Sequence, residues 1–317
     1  MEKLSVIWDV TRWCPWDCQI CCMGAVNDPA CRIQELSYEE KVKVLEQIAA
    51  LKADRDVQLD MSGGEIMMDE SHLKLIQKAA ELLGREKVGI STSGININKD
   101  TAEILAKSTK DVELTLDCIP GEAYALRKKG YHVNAAAAVD VLKKAGVYVG
   151  VQTVLCKKNN TKEEMDKLLR WLCQHNVDVW SILRFFPVGR GADYAGEVLS
   201  GGECREVVEM INCLYKNLSC DKPELDFHYL MPGHKKSTSQ CRCVRKSIGI
   251  LPDGTVTACF WALDKNTSIC EDKYFLGNVR ENELIDILKN EKSGYWLNGT
   301  HLSLIHISEP TRRTPIS

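Results

Sequence analysis

The 317-residue sequence lacks any apolar run near the roughly 20 residues that a membrane-spanning helix needs. It also lacks an apolar secretion signal behind its opening residues Met1-Glu2-Lys3-Leu4. Its formal net charge of -3 provides no basic surface for nucleic acid, and a short basic cluster such as Arg127-Lys128-Lys129 is expected to be solvated surface. These absences predict a cytoplasmic protein with no membrane and no nucleic-acid partner.

Cysteine is the residue that the chain has in excess. Fifteen cysteines in a compartment where thiols stay reduced point to metal or redox chemistry rather than to disulfides. Eight of them fall mostly on predicted helix or strand positions, where cysteine is usually an inert small hydrophobe: Cys22, Cys31, Cys118, Cys156, Cys173, Cys204, Cys213 and Cys220. Cys118 is also a candidate substrate contact because Asp117 precedes it, but no histidine accompanies it in sequence to support a Cys-His nucleophile.

Three cysteines near the start carry the strongest signal. Cys14, Cys18 and Cys21 have the spacing C-x3-C-x2-C, which places three thiolates on one short loop. Such a loop can hold three irons of a four-iron, four-sulfur (4Fe-4S) cluster and leave the fourth iron without a protein ligand. Structural zinc completed by Cys22 or Cys31 is the alternative, although zinc sites more often consist of two separated C-x2-C pairs.

The cysteine loop resembles the signature of the radical S-adenosylmethionine (SAM) superfamily. In that family the amino and carboxylate groups of SAM bind the open iron, and electron transfer cleaves SAM to methionine and a 5'-deoxyadenosyl radical. The resemblance implies a 4Fe-4S cluster and SAM as cofactors, with Cys14, Cys18 and Cys21 as the cluster ligands. It also implies an external electron donor such as flavodoxin or ferredoxin.

The pattern of the chain up to about residue 218 predicts successive βα units and a parallel sheet. Strands are predicted at 4–10, 57–61, 87–92, 112–117, 147–155 and 179–186. The capping box Ser37-Tyr38-Glu39-Glu40 opens the first helix, and five more are predicted at 71–83, 101–106, 132–145, 161–175 and 203–218. The predicted fold class is therefore α/β, and its six units resemble the partial (β/α)6 TIM-like barrel of the radical SAM superfamily.

Polar residues near the predicted strand ends are the candidates for SAM binding, because ligands of parallel α/β folds lie at the carboxyl ends of the strands. Gly63, Gly64 and Glu65 resemble the family's GGE motif, which holds the SAM amino group. By the same resemblance we expect further cofactor contacts from Ser91, Thr92, Ser93, Thr115, Asp117, Gln152 and Arg190, with Asn159 as a weaker candidate. Each of these residues alone is also explained as part of a turn or as a satisfied polar group.

A second cysteine region follows residue 240. Cys243-x10-Gly254-x4-Cys259 resembles the opening of a SPASM or twitch domain, and residues 275–279 with a helix at 281–288 resemble its next segment. Such domains carry auxiliary iron-sulfur clusters. The candidate ligands of an auxiliary 4Fe-4S cluster are Cys241, Cys243 and Cys259, with Cys270 as a weaker one, and a zinc knuckle is the alternative.

The last residues are set aside from the fold. Leu302 to Arg312 is the translation of what looks like a transposon-based sequencing-library adapter, so 302–317 is expected to be an artefactual tail. The predicted domains are a barrel at 1–232 and a SPASM/twitch-like domain, expected to be incomplete, at 233–301.

The resemblance implies a radical SAM oxidoreductase that modifies a peptide or protein, because SPASM-type members commonly act as maturases. A small-molecule radical SAM enzyme of cofactor biosynthesis is the nearest alternative. A non-catalytic iron-sulfur or zinc protein is the alternative from another class, and it would bind metal without cleaving SAM.

Overall fold

The computed structural model describes residues 1–228, 231–232 and 241–298. The strands are β1 (Glu2–Asp9), β2 (Arg55–Ser62), β3 (Val88–Ser91), β4 (Asp111–Thr115), β5 (Val149–Leu155), β6 (Val179–Arg184), β7 (Glu224–Phe227), β8 (Ser247–Ile250), β9 (Thr255–Thr257) and β10 (Phe275–Asn278). The α-helices are α1 (Tyr38–Ala50), α2 (Glu70–Leu83), α3 (Lys99–Ser108), α4 (Tyr131–Lys144), α5 (Lys162–Gln174), α6 (Gly201–Asn217), α7 (Leu284–Ile287) and α8 (Glu291–Asn298). None of the helices in these ranges is long and apolar enough to cross a membrane.

All ten strands belong to one sheet with the order β10-β9-β8-β1-β2-β3-β4-β5-β6-β7. Strands β1 to β7 are parallel and follow chain order, as successive βα units require. Strand β8 pairs in parallel with β1, and β9 and β10 continue the sheet antiparallel. The predicted α/β partial barrel is confirmed, and β8 extends it beside its first strand.

The two faces of the sheet differ in chemistry. On β1, Leu4, Val6 and Trp8 are buried in the main hydrophobic core together with Leu45 and Ile48 of α1. The alternate positions of the strand face the opposite way, because side-chain direction has a period of two. In a barrel whose helices cover the outside, that second face lines the interior.

Helix starts follow local capping chemistry. The Ser37 hydroxyl accepts a hydrogen bond from the Glu40 amide at 3.2 Å, and the Glu40 carboxylate accepts one from the Ser37 amide at 2.7 Å. The predicted capping box is therefore confirmed. The third helix begins at Lys99, two residues before its predicted start, because Asn98 provides the cap and pairs reciprocally with Thr101.

The C-terminal region departs from the sequence predictions in several places: strands β8 and β9 and helix α8 are not among the predicted elements. The four-residue strand β7 was not predicted, because one short alternation carries little periodic signal. The predicted helix at 281–288 is present as the short α7. The boundary at 232/233 and the tail at 302–317 adjoin or fall on residues outside the described ranges, so the division into domains stays a prediction.

The barrel interior carries a cluster of carboxylates. A β-carbon built on Gly89 would lie 2.6 Å from Asp111 Oδ1 and 3.1 Å from Asp60 Oδ1, so glycine at this position leaves room for both side chains. Burial, Asp111 and Asp60 together raise the pKa of Glu113 to about 7. Its carboxylate accepts hydrogen bonds from the side chains of Gln152 and Ser91.

Replacing Glu113 by Gln tests whether the pKa of Glu113 is raised in the folded protein. The pKa of Glu113 is raised on folding, so the wild-type protein loses stability as pH rises from about 4.5 to about 7. Glu113→Gln keeps an acceptor for Gln152 and removes the charge. We expect the variant to be more stable than wild type at pH 8, by up to about 3 kcal/mol, with the difference vanishing towards pH 4. Thermal unfolding by circular dichroism across this pH range measures it, and a pH-independent difference contradicts the assignment.

Candidate functional site

The segment after β1 forms a closed loop that carries the first three cysteines. The Cys14 amide donates to the Val26 carbonyl at 2.9 Å, and the Val26 amide donates to the Arg12 carbonyl at 3.0 Å. Cys14 and Cys18 are 8% and 7% exposed. Burial raises the pKa of the Cys14 thiol to about 12, with smaller contributions from Glu65 and from the thiols of Cys21 and Cys18.

Arg190 holds this loop from the far side of the barrel. Its backbone amide donates to the Cys21 carbonyl at 3.1 Å, its Nε donates to the Cys18 carbonyl at 2.8 Å, and its Nη2 donates to the Ala25 carbonyl at 2.8 Å. The side chain was expected to contact the cofactor. The structure places it on the backbone of the cysteine loop, and its contact with a cofactor stays a prediction.

Gly189 leaves room for the contact between the Arg190 segment and the cysteine loop. Its φ of +57° is a conformation that glycine adopts without strain, and a β-carbon there would lie 2.1 Å from the Cys22 carbonyl oxygen. Gly196, in the same 3-10 segment, has no such neighbour within 4 Å. Only the first of these two glycines lies directly against the cysteine loop.

The Gly63-Gly64-Glu65 turn is hydrogen-bonded to the backbone that leads into the cysteine loop. The Gly64 amide donates to the Thr11 carbonyl at 2.6 Å, and the Glu65 amide donates to the Trp13 carbonyl at 2.8 Å. A β-carbon on Gly63 would lie 2.4 Å from the Thr11 oxygen, and one on Gly64 would lie 2.4 Å from the Trp13 oxygen. The turn predicted to hold SAM is thus in backbone contact with the segment that leads into Cys14.

The Glu65 side chain is the centre of a buried polar network. Its carboxylate accepts hydrogen bonds from Thr92 Oγ1 at 2.5 Å, the Ser93 amide at 2.6 Å, the Ser93 hydroxyl, and the Met67 amide at 2.9 Å. Burial raises the pKa of Glu65 against these hydrogen bonds, which lower it. Trp16 Nε1 donates to Ser93 Oγ at 2.6 Å and links the network to the cysteine loop.

Asp117 forms a second buried group at the end of β4. Burial would raise its pKa, but Arg127 and a hydrogen bond with His132 lower it to about 2. Arg127 Nε donates to Asp117 Oδ2 at 2.6 Å, and only 11% of the Arg127 side chain is exposed. The expectation that Arg127 belongs to a solvated basic cluster is therefore wrong, because a buried carboxylate requires its charge.

The other predicted SAM contacts separate into different places. Ser91 and Gln152 bind Glu113 in the barrel interior, away from the Glu65 network. Thr115, the last residue of β4, lowers the pKa of Tyr131 against the effect of burial. The Asn159 side chain donates to the Asp117 and Val154 carbonyls and accepts from the Cys156 amide, and its contact with SAM stays a prediction.

Cys118 has a histidine neighbour that the sequence did not reveal. Its Sγ lies 3.2 Å from His132 Nδ1, fourteen positions along the chain. Burial and the charge of Asp117 raise the pKa of Cys118 to about 12, so the thiol is protonated at neutral pH. A protonated thiol is a poor nucleophile, so the contact does not revive nucleophilic catalysis.

The second cysteine region also brings thiols together. The neighbouring Cys241 and Cys259 thiols, together with burial, raise the pKa of the Cys243 thiol. Cys243 and Cys259 are each 5% exposed. Cys270 is near enough to Cys259 for its thiol pKa to be raised by that neighbour, in addition to burial. The three candidate ligands are thus adjacent, with the weaker candidate beside them.

The donor set fits iron-sulfur clusters. Both regions supply buried or half-buried thiols without disulfides, and the Ala25 amide donates to Cys21 Sγ at 3.4 Å, a contact of the kind that tunes cluster sulfurs. Within the described ranges no three His, Cys, Asp or Glu side chains are gathered around one metal-ion position. Each thiolate of a four-iron cluster binds a different iron, whereas zinc needs all its ligands at about 2.3 Å from one ion.

Comparison with known families agrees with the geometry. The model of the radical SAM superfamily matches residues 8–172, more than half of the chain. The chain belongs to the radical SAM superfamily. A model of the SPASM iron-sulfur cluster-binding domain matches residues 241–303. The predicted family and the SPASM-type second region are confirmed, and 4Fe-4S clusters and SAM are the cofactors of this class of enzyme.

The curated relatives and the proteins of similar known structure differ in the substrates that their names indicate. A GTP 3',8-cyclase of Thermodesulfovibrio yellowstonii is 24% identical over 55% of this chain and 53% of that protein, and one of Clostridium perfringens is 22% identical over 88% and 86%. Streptococcus suis SuiB bound to precursor peptide SuiA has a TM-score of 0.73 at 16% identity, covering 92% of this chain and 65% of that one. AdoMet-bound anSMEcpe has a TM-score of 0.67 at 15% identity, with 92% and 83% covered. The chain therefore spans about half the length of some curated relatives.

Gly189→Ala tests whether the Arg190 segment positions the cysteine loop. The added β-carbon must displace the Cys22 carbonyl, and we expect a loss of about 2 kcal/mol in stability and a lower iron content after anaerobic reconstitution. Iron analysis and thermal unfolding measure the two effects.

Gly196→Ala is the matched control, because its β-carbon would meet open space. Its iron content should equal that of wild type. Equal iron content in the Gly189 and Gly196 variants would contradict the positioning role.

Proposed function

We propose that the protein cleaves SAM reductively at a 4Fe-4S cluster held by Cys14, Cys18 and Cys21, and that the resulting 5'-deoxyadenosyl radical abstracts hydrogen from a substrate. The observation that carries the proposal is the backbone contact between the cysteine loop and the Gly63-Gly64 turn, at 2.6 Å from the Gly64 amide to the Thr11 carbonyl. A flavodoxin or ferredoxin supplies the electron.

The side chains around the cysteine loop shield the site from water and hold the loop in place. They do not carry the electron themselves. Burial of Cys14 and Cys18 keeps water from the ligands. The hydrogen bonds of Glu65 hold the Gly63-Gly64 turn in place against the loop. Arg190 holds the loop through its own hydrogen bond to the Cys18 carbonyl. Together they give the cluster one orientation relative to the strand ends where SAM binds in this family.

For the substrate we propose a peptide or protein. The barrel interior holds several carboxyl side chains: burial raises the pKa of Asp9 to about 7, and Asp60, Asp111 and Glu113 lie on the same interior. Carboxyl groups can accept hydrogen bonds from the amides of a peptide. The fold shared with SuiB, whose structure holds a precursor peptide, agrees with this choice.

A small-molecule substrate is the second candidate, and the names of the curated relatives favour it. Arg127 is paired with Asp117, and Arg190 is engaged by the loop backbone. Neither cation is therefore free to bind phosphates. The two candidates differ in the chemistry of the substrate, so they are separable by experiment.

Cys18→Ala tests the SAM-cleaving site. Loss of one ligand should lower the absorbance at about 400 nm expected of thiolate-ligated clusters and abolish the formation of 5'-deoxyadenosine from SAM and dithionite. An auxiliary cluster contributes to the same absorbance, so 5'-deoxyadenosine is the decisive readout.

Cys31→Ala is the matched control, since Cys31 lies just beyond the loop and outside the C-x3-C-x2-C spacing. It should retain turnover. Wild-type protein that binds iron but forms no 5'-deoxyadenosine would favour the non-catalytic alternative instead.

Addition of GTP separates the two substrate classes. We expect GTP to leave the rate of uncoupled 5'-deoxyadenosine formation unchanged, because the proposed substrate is a peptide and not a nucleotide. Liquid chromatography of the reaction measures the rate. A GTP-dependent increase, with incorporation of GTP into a new product, would overturn the peptide proposal and leave SAM cleavage intact.

A further inference from the structure

A cavity lies where the first turns of α1 and α2 meet the 3-10 helix Pro29–Gln34. Its volume is about 440 Å³, and the polar residues that line it include Arg32, Glu35, Lys41 and Ser71. Sites for small molecules are commonly of this size. None of the described residues that line the cavity is a predicted ligand of a cluster or of SAM. The cavity is therefore separate from the proposed catalytic centre.

Lys41 contributes a buried ammonium group to the wall of the cavity. The residue is 3% exposed, and its Nζ lies 3.0 Å from His72 Nε2. His72 Nδ1 lies 3.0 Å from the Ile66 carbonyl oxygen, which can only accept, so Nδ1 carries the ring hydrogen and Nε2 accepts from Lys41. Within the described ranges His72 is the one hydrogen-bond partner of the ammonium group, so two of its three N–H donors remain for a ligand.

Glu35 contributes a buried acceptor to the same wall. Only 4% of its side chain is exposed. Its Oε1 accepts hydrogen bonds from the Thr11 hydroxyl at 3.0 Å and from the Arg12 amide at 2.7 Å. No described group donates a hydrogen bond to Oε2, although Arg32 Nε lies 3.5 Å away as an ion pair. A buried acceptor without a donor is unfavourable, so a ligand that donates to it gains stability.

The charged side chains at the cavity occur in oppositely charged pairs: Arg32 with Asp69, Arg280 with Glu40, and Lys41 with Glu35, which line the cavity together. Burial lowers the pKa of Lys41, and the charge of Glu35 opposes that shift. A simple anion would be attracted by Lys41 and repelled by Glu35, and a simple cation the reverse. A molecule that carries both charges a short distance apart satisfies both side chains. A free α-amino acid is a small molecule of this kind.

Glu35 also connects the cavity to the cysteine loop. The carboxylate that lacks a donor at Oε2 holds Thr11 and Arg12 through Oε1. The Trp13 amide in turn donates to Thr11 Oγ1 at 3.1 Å, and Cys14 is the next residue. A ligand bound to Glu35 therefore stabilises the side chain that orders the backbone leading into the loop.

We propose that this cavity binds a free α-amino acid, whose carboxylate contacts the Lys41 ammonium and whose ammonium group contacts the Glu35 carboxylate. Such a ligand completes the hydrogen bonds of both buried groups. It is a second small ligand of the protein, distinct from SAM and from the substrate of the proposed reaction.

Isothermal titration calorimetry of the anaerobically purified full chain tests the proposal. L-Leucine and L-alanine are each compared with the acid that lacks the ammonium group, 4-methylpentanoate and propionate. The contacts use groups common to all α-amino acids, so we expect binding, and we expect the tighter amino acid to bind about tenfold more strongly than its analogue, because the analogue leaves Glu35 without a donor. Absence of binding at millimolar concentration, or equal affinity of amino acid and analogue, would overturn the proposal.

Lys41→Met removes the ammonium group and keeps a side chain of similar length. We expect it to weaken amino-acid binding about tenfold or more. Lys43→Met is the matched control, because Lys43 is exposed on the same helix and is not among the described residues that line the cavity. Unchanged affinity in Lys41→Met contradicts the assignment. The comparison of amino acid with analogue uses the wild-type protein, so it decides the matter even if Lys41→Met does not fold.

The open iron of the proposed cluster is the competing site, because an amino acid can chelate it through its amino and carboxylate groups. The titration is therefore repeated with Cys18→Ala, which should lose 5'-deoxyadenosine formation and keep amino-acid binding. Loss of binding in Cys18→Ala, with binding intact in Lys41→Met, would place the amino acid at the cluster and overturn the proposal. Binding in the cavity does not depend on SAM cleavage, so the two proposals fail separately.

Discussion

The structure depends on one constraint: the cysteine loop must lie flat on the turn that follows β2. Two amides of that turn donate to the carbonyls of Thr11 and Trp13, and neither Gly63 nor Gly64 has room for a β-carbon. A side chain at either position would lift the loop from the sheet. The polar network around Glu65 and the contacts of Arg190 hold the same loop at other points.

The second cysteine region is built into the same framework. Strand β8 pairs with β1, the strand that leads into the loop. The Leu36 amide donates to the Pro252 carbonyl at 2.8 Å, and Arg280 Nη2 donates to the Glu35 carbonyl at 2.9 Å. The Glu35 carboxylate in turn accepts the Arg12 amide at 2.7 Å. The loop is therefore held by hydrogen bonds from both parts of the chain.

The features that the sequence predicted are short local motifs or patterns that repeat along the chain. The cysteine spacing, the two glycines before Glu65 and the alternation of strands and helices are read along the chain, and the structure confirms the βα units. The ion pair of Arg127 with Asp117 and the contact of Cys118 with His132 were missed, because they join residues 10 and 14 positions apart across a loop of irregular conformation.

The central claim is that the loop leaves one iron of its cluster open for SAM. Electron paramagnetic resonance of the dithionite-reduced protein, recorded with and without SAM, tests it most directly. Binding of the SAM amino and carboxylate groups to the open iron changes the ligand field, so the account predicts that SAM shifts the g values of one reduced cluster and that the shift is absent in Cys18→Ala. A spectrum that SAM leaves unchanged would contradict the claim.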